Sequence, residues 1–229
     1  MERTLQGSPL SPLSPRSRAR ITGAVYLLFF LTAIAGGVVT PGTAKEVVAH
    51  EALFRVGFAL SLVSTVCYVA VTALFYQLFR SVSRSVALVA AFFSLVGCAV
   101  GAAGSLFQLA PLVVIGDAQY SSVFDVTQLQ ALTQMLLDLG AQTGSIALVF
   151  FGVFDILIGY LIFKSGFLPR ILGVLMVIAG VLWLIFLSPP LANHFLIFVE
   201  VPGFVAELAL MLWLLIKGIR VEKELGEPA

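Results

Sequence analysis

The chain has 229 residues, of which 60% are hydrophobic and only 11% charged, with a formal net charge of +1; an ordinary soluble domain carries about 25% charged residues. No water-soluble fold of this length can hide that much apolar side chain, and a charge so near zero, with its cations scattered, offers no field for nucleic acid. Two cysteines, both in apolar stretches, exclude a disulfide scaffold.

Residues 1–18 contain Ser8-Pro9, Ser11-Pro12 and Ser14-Pro15 ahead of a run of arginines. Such a composition builds no core and predicts a disordered tail. The first apolar segment, 21–39, contains Ala33-Ile34-Ala35, which has the look of a signal-peptide cleavage site. Its uncharged run of about 19 residues exceeds the usual 7–15 of a signal core, so a retained helix is expected. Further segments follow at about 53–79, 86–115, 129–163, 171–187 and 195–217. Each is long enough for a span of about 20 residues. Residues 116–127, with Asp117 and Asp125, predict a polar loop. The fourth segment is amphipathic over 128–140 and apolar over 145–163 apart from Asp155, which predicts one long helix or a half-helix leading into a span. Gly166 and Pro169 predict the next turn, because glycine ends helices and proline disfavours helix in the residue before it. Ser188-Pro189-Pro190 stops the fifth segment, and a bend is expected at Pro202 in the sixth.

Basic residues mark every second connection. Arg3, Arg16, Arg18 and Arg20 precede the first segment, Arg80 and Arg84 follow the second, Lys164 and Arg170 follow the fourth, and Lys217, Arg220 and Lys223 follow the sixth. They make up eleven of the thirteen, leaving Lys45 and Arg55 on the other side. Positive charge next to spans is retained in the cytoplasm. The expected fold is therefore all-α: a polytopic, six-transmembrane-helix antiparallel bundle over residues 19–221, both termini cytoplasmic, with a short charged tail at 222–229. Short connections join neighbouring helices in such a bundle. Small residues at helical spacing, Ser94, Gly97, Gly101 and Gly104 with Gln108, and Gly152 and Gly159 with Asp155, predict faces turned towards other helices.

Carboxyl groups within a membrane are costly, so they head the list of candidate functional residues. Asp155 lies nine residues before Lys164 and Glu207 ten before Lys217. At about 1.5 Å per residue both sit about 13–15 Å from the basic end, near the bilayer midplane. Two acids at one depth predict a shared ligand or cation site, with Glu200 two turns further out on nearly the same face. In the second segment Ser61, Thr65, Tyr68, Thr72 and Tyr76 form a polar line, of which Tyr68 and Thr72 would face the acids. The competing reading of such hydroxyls is that they bond their own helix backbone. At the opposite end, His50 with Glu51 and Arg55, Asp138 with Gln142, and Asn193 with His194 form a third group. His50, Asp138 and His194 would be the ligands of a metal site, although their spacing matches no metal motif; a solvated interface with an Arg55–carboxylate pair is the alternative. No phosphate loop, nucleophile elbow or cysteine–histidine pair occurs at catalytic spacing, and no cofactor is expected.

Three stretches carry a resemblance: HEALFR from His50 to Arg55, FFGVFDILIGYLIFKSGFLPRILGVLMVIAG from Phe150 to Gly180, and ELALMLWLLIKGIR from Glu207 to Arg220. Together they resemble a family of bacterial integral membrane proteins, the domain-of-unknown-function 4386 family, over about residues 18–221. The resemblance implies a bacterial inner-membrane location and a helical fold, and brings no catalytic residues. Three functions stay open: binding or passage of a proton, cation or small amphiphile through a polar interior; a membrane-embedded hydrolase using the His50, Asp138 and His194 group; and an accessory subunit. Membrane lipids are the expected partners, with a second copy or another membrane protein as the protein partners open to such a bundle.

Overall fold

A computed structural model describes residues 14–116 and 118–219. The expected tails, apart from residues 14–18, lie outside the described residues, as do Asp117 and the basic residues Arg3, Arg220 and Lys223. The described residues form helices without a strand.

Helix α1, Pro15–Val39, begins inside the stretch expected to be tail. Two local features start it there: Pro15 occupies the first turn, and the Ser14 hydroxyl accepts the Ser17 N–H at 3.1 Å. The short α2, Ala44–Ala49, is opened by a reciprocal cap between Thr43 and Glu46. Helix α3, Glu51–Phe79, and α4, Arg84–Gly116, are the second and third long helices, and a single turn of helix, α5, Ala118–Val123, interrupts the predicted loop.

Helix α6, Val126–Ser165, is one uninterrupted element of 40 residues. Its length of about 60 Å is roughly twice the hydrocarbon thickness of a bilayer. A cap between Asp125 and Gln128 starts it, and Gly166, at φ 68°, ends it in the left-handed conformation glycine alone adopts cheaply. Pro169 precedes α7, Arg170–Trp183, which continues through a 3-10 turn, Leu184–Leu187, to Ser188. Helix α8, Pro189–Ile216, carries the last span. Its backbone leaves helical angles at Phe195 (φ −110°, ψ 17°) rather than at Pro202, where the sequence predicted a bend.

Among the described residues six helices are long and apolar enough to cross a membrane, and the chain is a multi-pass membrane protein. Each long helix packs on its successor in the chain, α1 on α3, α3 on α4, α4 on α6, α6 on α7 and α7 on α8, and α8 returns to α1, closing a ring. Small residues set the tightest crossings. A Cβ on Gly159 would sit 2.6 Å from the Gly173 carbonyl oxygen, and one on Gly152 2.7 Å from that of Gly180, so α6 and α7 meet backbone to backbone. Gly23 stands against the backbone of Leu215 and does the same for the closing α1–α8 contact. Inside the ring, Tyr26, Phe30, Tyr68, Phe75, Phe79 and Phe154 are all buried and belong to one cluster. On the outside, side chains such as Val38, Val66 and Phe198 are 70–81% exposed, the reverse of a soluble protein and the arrangement lipid requires.

Candidate functional site

Asp155 of α6 and Glu207 of α8 are both buried, at 0% and 9% exposure. The two carboxyl groups lie within electrostatic reach of each other, and the Trp183 side chain neighbours both. The equal depths counted from Lys164 and Lys217 thus correspond to real proximity. The helices that carry them are separated in the ring by α7, and it is α7 that supplies the indole between them. Glycines make room for that ring: a Cβ on Gly203 of α8 would run into the indole, and one on Gly152 of α6 would lie 2.9 Å from Trp183 Cβ.

The two acids differ in how they are satisfied. Glu207 Oε2 accepts a hydrogen bond from the Tyr26 hydroxyl at 2.6 Å. Both oxygens of Asp155 are buried without a hydrogen-bond partner, as is Trp183 Nε1. An unpaired buried polar group costs about 1–3 kcal/mol. The indole N–H and the Asp155 carboxyl group thus stand side by side and interact, without a well-aligned hydrogen bond between them.

Space is available beside them. One cavity of ≈170 Å³ lies among α3, α4 and α6, with Tyr68, Ser64, Cys98, Phe151 and Glu207 on its walls. A second, of ≈360 Å³, opens between α1 and α8 and is lined by Phe30, Trp183, Phe204, Glu200 and Glu207. Phe29 and Leu148 belong to both walls, so these two side chains and Glu207 form the partition between the cavities.

Each residue singled out in the sequence has a definite place. Glu200 is exposed and lines the second cavity. Tyr68 is buried on the first cavity, its ring edge-on to Tyr26 at 6.0 Å. Thr72 does not turn towards the acids: its hydroxyl bonds the Tyr68 carbonyl at 2.9 Å and the Ser94 hydroxyl at 2.6 Å, tying α3 to α4. Ser61 and Thr65 bond the carbonyls of Gly57 and Ser61, so most of the polar line on α3 is spent on its own helix.

Among the described residues no group of three or more histidine, cysteine, aspartate or glutamate side chains could hold a metal ion. His50 is exposed at the α2–α3 junction, Asp138 accepts from Gln134 Nε2 at 2.9 Å, and His194 lies edge-on to its neighbour Phe195. The three belong to different helices of the ring, at the start of α3, within α6 and within α8. The Arg55–carboxylate pair does form, with Glu51 at 2.8 Å.

Two members of the site were missed in the sequence, Tyr26 and Trp183. Tyr26 carried a usable signal: it lies ten residues beyond Arg16, the same count that separates Glu207 from Lys217. Trp183 carried none, since a tryptophan near the end of a span is common at membrane interfaces.

Comparison with known proteins is consistent with this architecture and silent on the site. A family model described as Domain of unknown function (DUF4386) matches residues 21–218. A protein of Archaeoglobus fulgidus described as uncharacterized is 29% identical over 161 residues, which cover 70% of this chain and 82% of that protein. No solved structure matches.

Proposed function

The chain belongs to the DUF4386 family, and on that premise we propose that it binds a small organic cation inside its helical ring, with Asp155 and Glu207 as the counter-charges. The observation that carries this reading is the position of Glu207, which lies beside Asp155 and on the walls of both cavities at once. Carboxyl groups call for a positive partner. The walls also carry Phe29, Phe30, Tyr68, Phe151, Trp183 and Phe204, and such rings suit a weakly hydrated organic cation through ring-face contacts. Electroneutrality in a low-dielectric interior makes a cation and a proton alternative occupants of the pair, so uptake of one with release of the other is the form of passage proposed. Glu200 would meet the cation at the rim, and Tyr68 would contact it in the inner cavity. Thr72 has no part, being committed to the α3–α4 contact.

The proposed setting is the cell membrane with both ends of the chain in the cytoplasm. Its support is the division of charge along an antiparallel ring: Arg16, Arg18, Arg20, Arg80, Arg84, Lys164, Arg170 and Lys217 fall at one end, Lys45 and Arg55 at the other. Lipid is the proposed neighbour of the outward apolar side chains.

The test is equilibrium binding of tetramethylammonium and short alkyltrimethylammonium ions to the purified protein. Glu207→Gln and Asp155→Asn keep shape while removing charge, and each should weaken binding tenfold or more without loss of fold. Equal binding by the wild type and both variants would refute the proposal.

A further inference from the structure

A different pocket lies at the arginine-rich end of the ring, where α1 begins and α3 ends. It has a volume of ≈420 Å³ and presents Arg18, Arg80, Gln77 and Ser81, with apolar wall from Leu78 and Phe167. Among the described residues neither guanidinium has a hydrogen bond or an ion pair; the one recorded salt bridge, Glu51–Arg55, is at the far end. Nor is there any described acid nearby to neutralise them. Glu46, Glu51, Asp125, Asp138 and Glu200 belong to the opposite half of the ring, and Asp155 and Glu207 to its middle.

Depth narrows the choice of ligand. The spans Pro15–Val39 and Glu51–Phe79 start and stop at this pocket, so it lies at the level where a bilayer changes from acyl chain to headgroup. Guanidinium groups present a planar fork of donors that matches the oxygens of a phosphate, and basic pockets between spanning helices are suited to anionic headgroups. We propose that this pocket binds the phosphate of an anionic glycerophospholipid. Arg18 and Arg80 grip the phosphate oxygens, Gln77 and Ser81 meet the polar headgroup, and the Leu78 and Phe167 wall receives the glycerol and the first methylenes. This site is separate from the carboxyl pair and does not depend on the cation reading.

The competing explanation is that these arginines only contribute to the positive end of the molecule, and a control pair separates the two. Native mass spectrometry of the full chain in neutral detergent would follow retention of phosphatidylglycerol and of phosphatidylcholine, with thermal unfolding in millimolar inorganic phosphate alongside. Wild type should retain phosphatidylglycerol over phosphatidylcholine. At about 1 kcal/mol per basic residue, Arg18→Gln and Arg80→Gln should each weaken retention about fivefold, and the double variant about 30-fold. Arg84→Gln with Arg170→Gln, at the same end but off the pocket, should leave retention unchanged. The double lysine variant, Arg18→Lys with Arg80→Lys, keeps the charge and should fold and retain more lipid than the glutamine pair. Equal loss in the control pair, or equal retention of the two lipids, would overturn the site. Stabilisation by inorganic phosphate without selective retention of phosphatidylglycerol would assign the pocket to a soluble phosphate and overturn the lipid.

Discussion

The hydroxyl of Tyr26 donates to Glu207 Oε2 at 2.6 Å, joining the first spanning helix to the last at the depth of the carboxyl pair. The bond closes the ring at its polar level, as Gly23 against Leu215 closes it nearer the basic end. Removing the donor by Tyr26→Phe should cost about 1–2 kcal/mol, at or above the upper range for hydrogen bonds in membranes because the acceptor left behind is a buried acid. In a Glu207→Met background, which offers no oxygen to accept the bond, the same change should cost less, read as unfolding in detergent micelles through a double-mutant cycle. An identical cost in both backgrounds would mean that the hydroxyl contributes only packing.

The α6–α7 crossing has no room for a methyl group. Gly159→Ala would set a Cβ 2.6 Å from the Gly173 oxygen and should destabilise by about 1–3 kcal/mol as the two helices are pushed apart. Gly144→Ala, on the same helix with nothing within 4 Å of the added carbon, should be neutral or stabilising by up to about 1 kcal/mol. Thermal unfolding of the two variants side by side checks the ordering, and a reversed order would contradict the packing described.

Leu148 borders both cavities without touching the charge on either acid's behalf. Leu148→Trp should fill the space on each side of the partition and weaken binding of alkyltrimethylammonium ions tenfold or more while Asp155 and Glu207 are intact. Overpacking is expected to cost about 1–3 kcal/mol, so folding is checked by gel filtration. Undiminished binding in a folded variant would move the ligand out of these cavities.

Orientation can be read by single cysteines in a background lacking Cys67 and Cys98. Lys164→Cys and Ser81→Cys should be shielded from an impermeant thiol reagent in intact cells, whereas Val123→Cys and Leu191→Cys, both exposed at the other end, should be labelled. The opposite pattern would invert the topology.

The number of spans and their order were legible in the residues because a bilayer imposes one simple rule, about 20 apolar residues between polar ends. Local stops were equally readable: Gly166 before Pro169, and the proline pair after Ser188, act through their own backbone geometry. Pro202 lies within the helix, and the break in helical backbone angles lies at Phe195, where the preceding sequence gave no signal. The start of α1 at Pro15 turned on a single serine cap inside a segment whose composition suggested a tail.

For the site, depth was in the sequence and azimuth was not. Counting from basic anchors placed Asp155 and Glu207 at one level, since rise along a helix is constant. Which faces meet depends on how six helices close into a ring, and that is set by glycine contacts distant in the chain, Gly152 with Gly180, Gly159 with Gly173 and Gly23 with Leu215. Those contacts accompany the approach of Tyr26 and Trp183 to the acids, while Thr72 is bonded to Ser94 across the α3–α4 contact. Among the described residues His50, Asp138 and His194 form no shared metal-holding group. A one-dimensional pattern determines how far into the membrane each side chain reaches; only packing between helices decides which of them face one another.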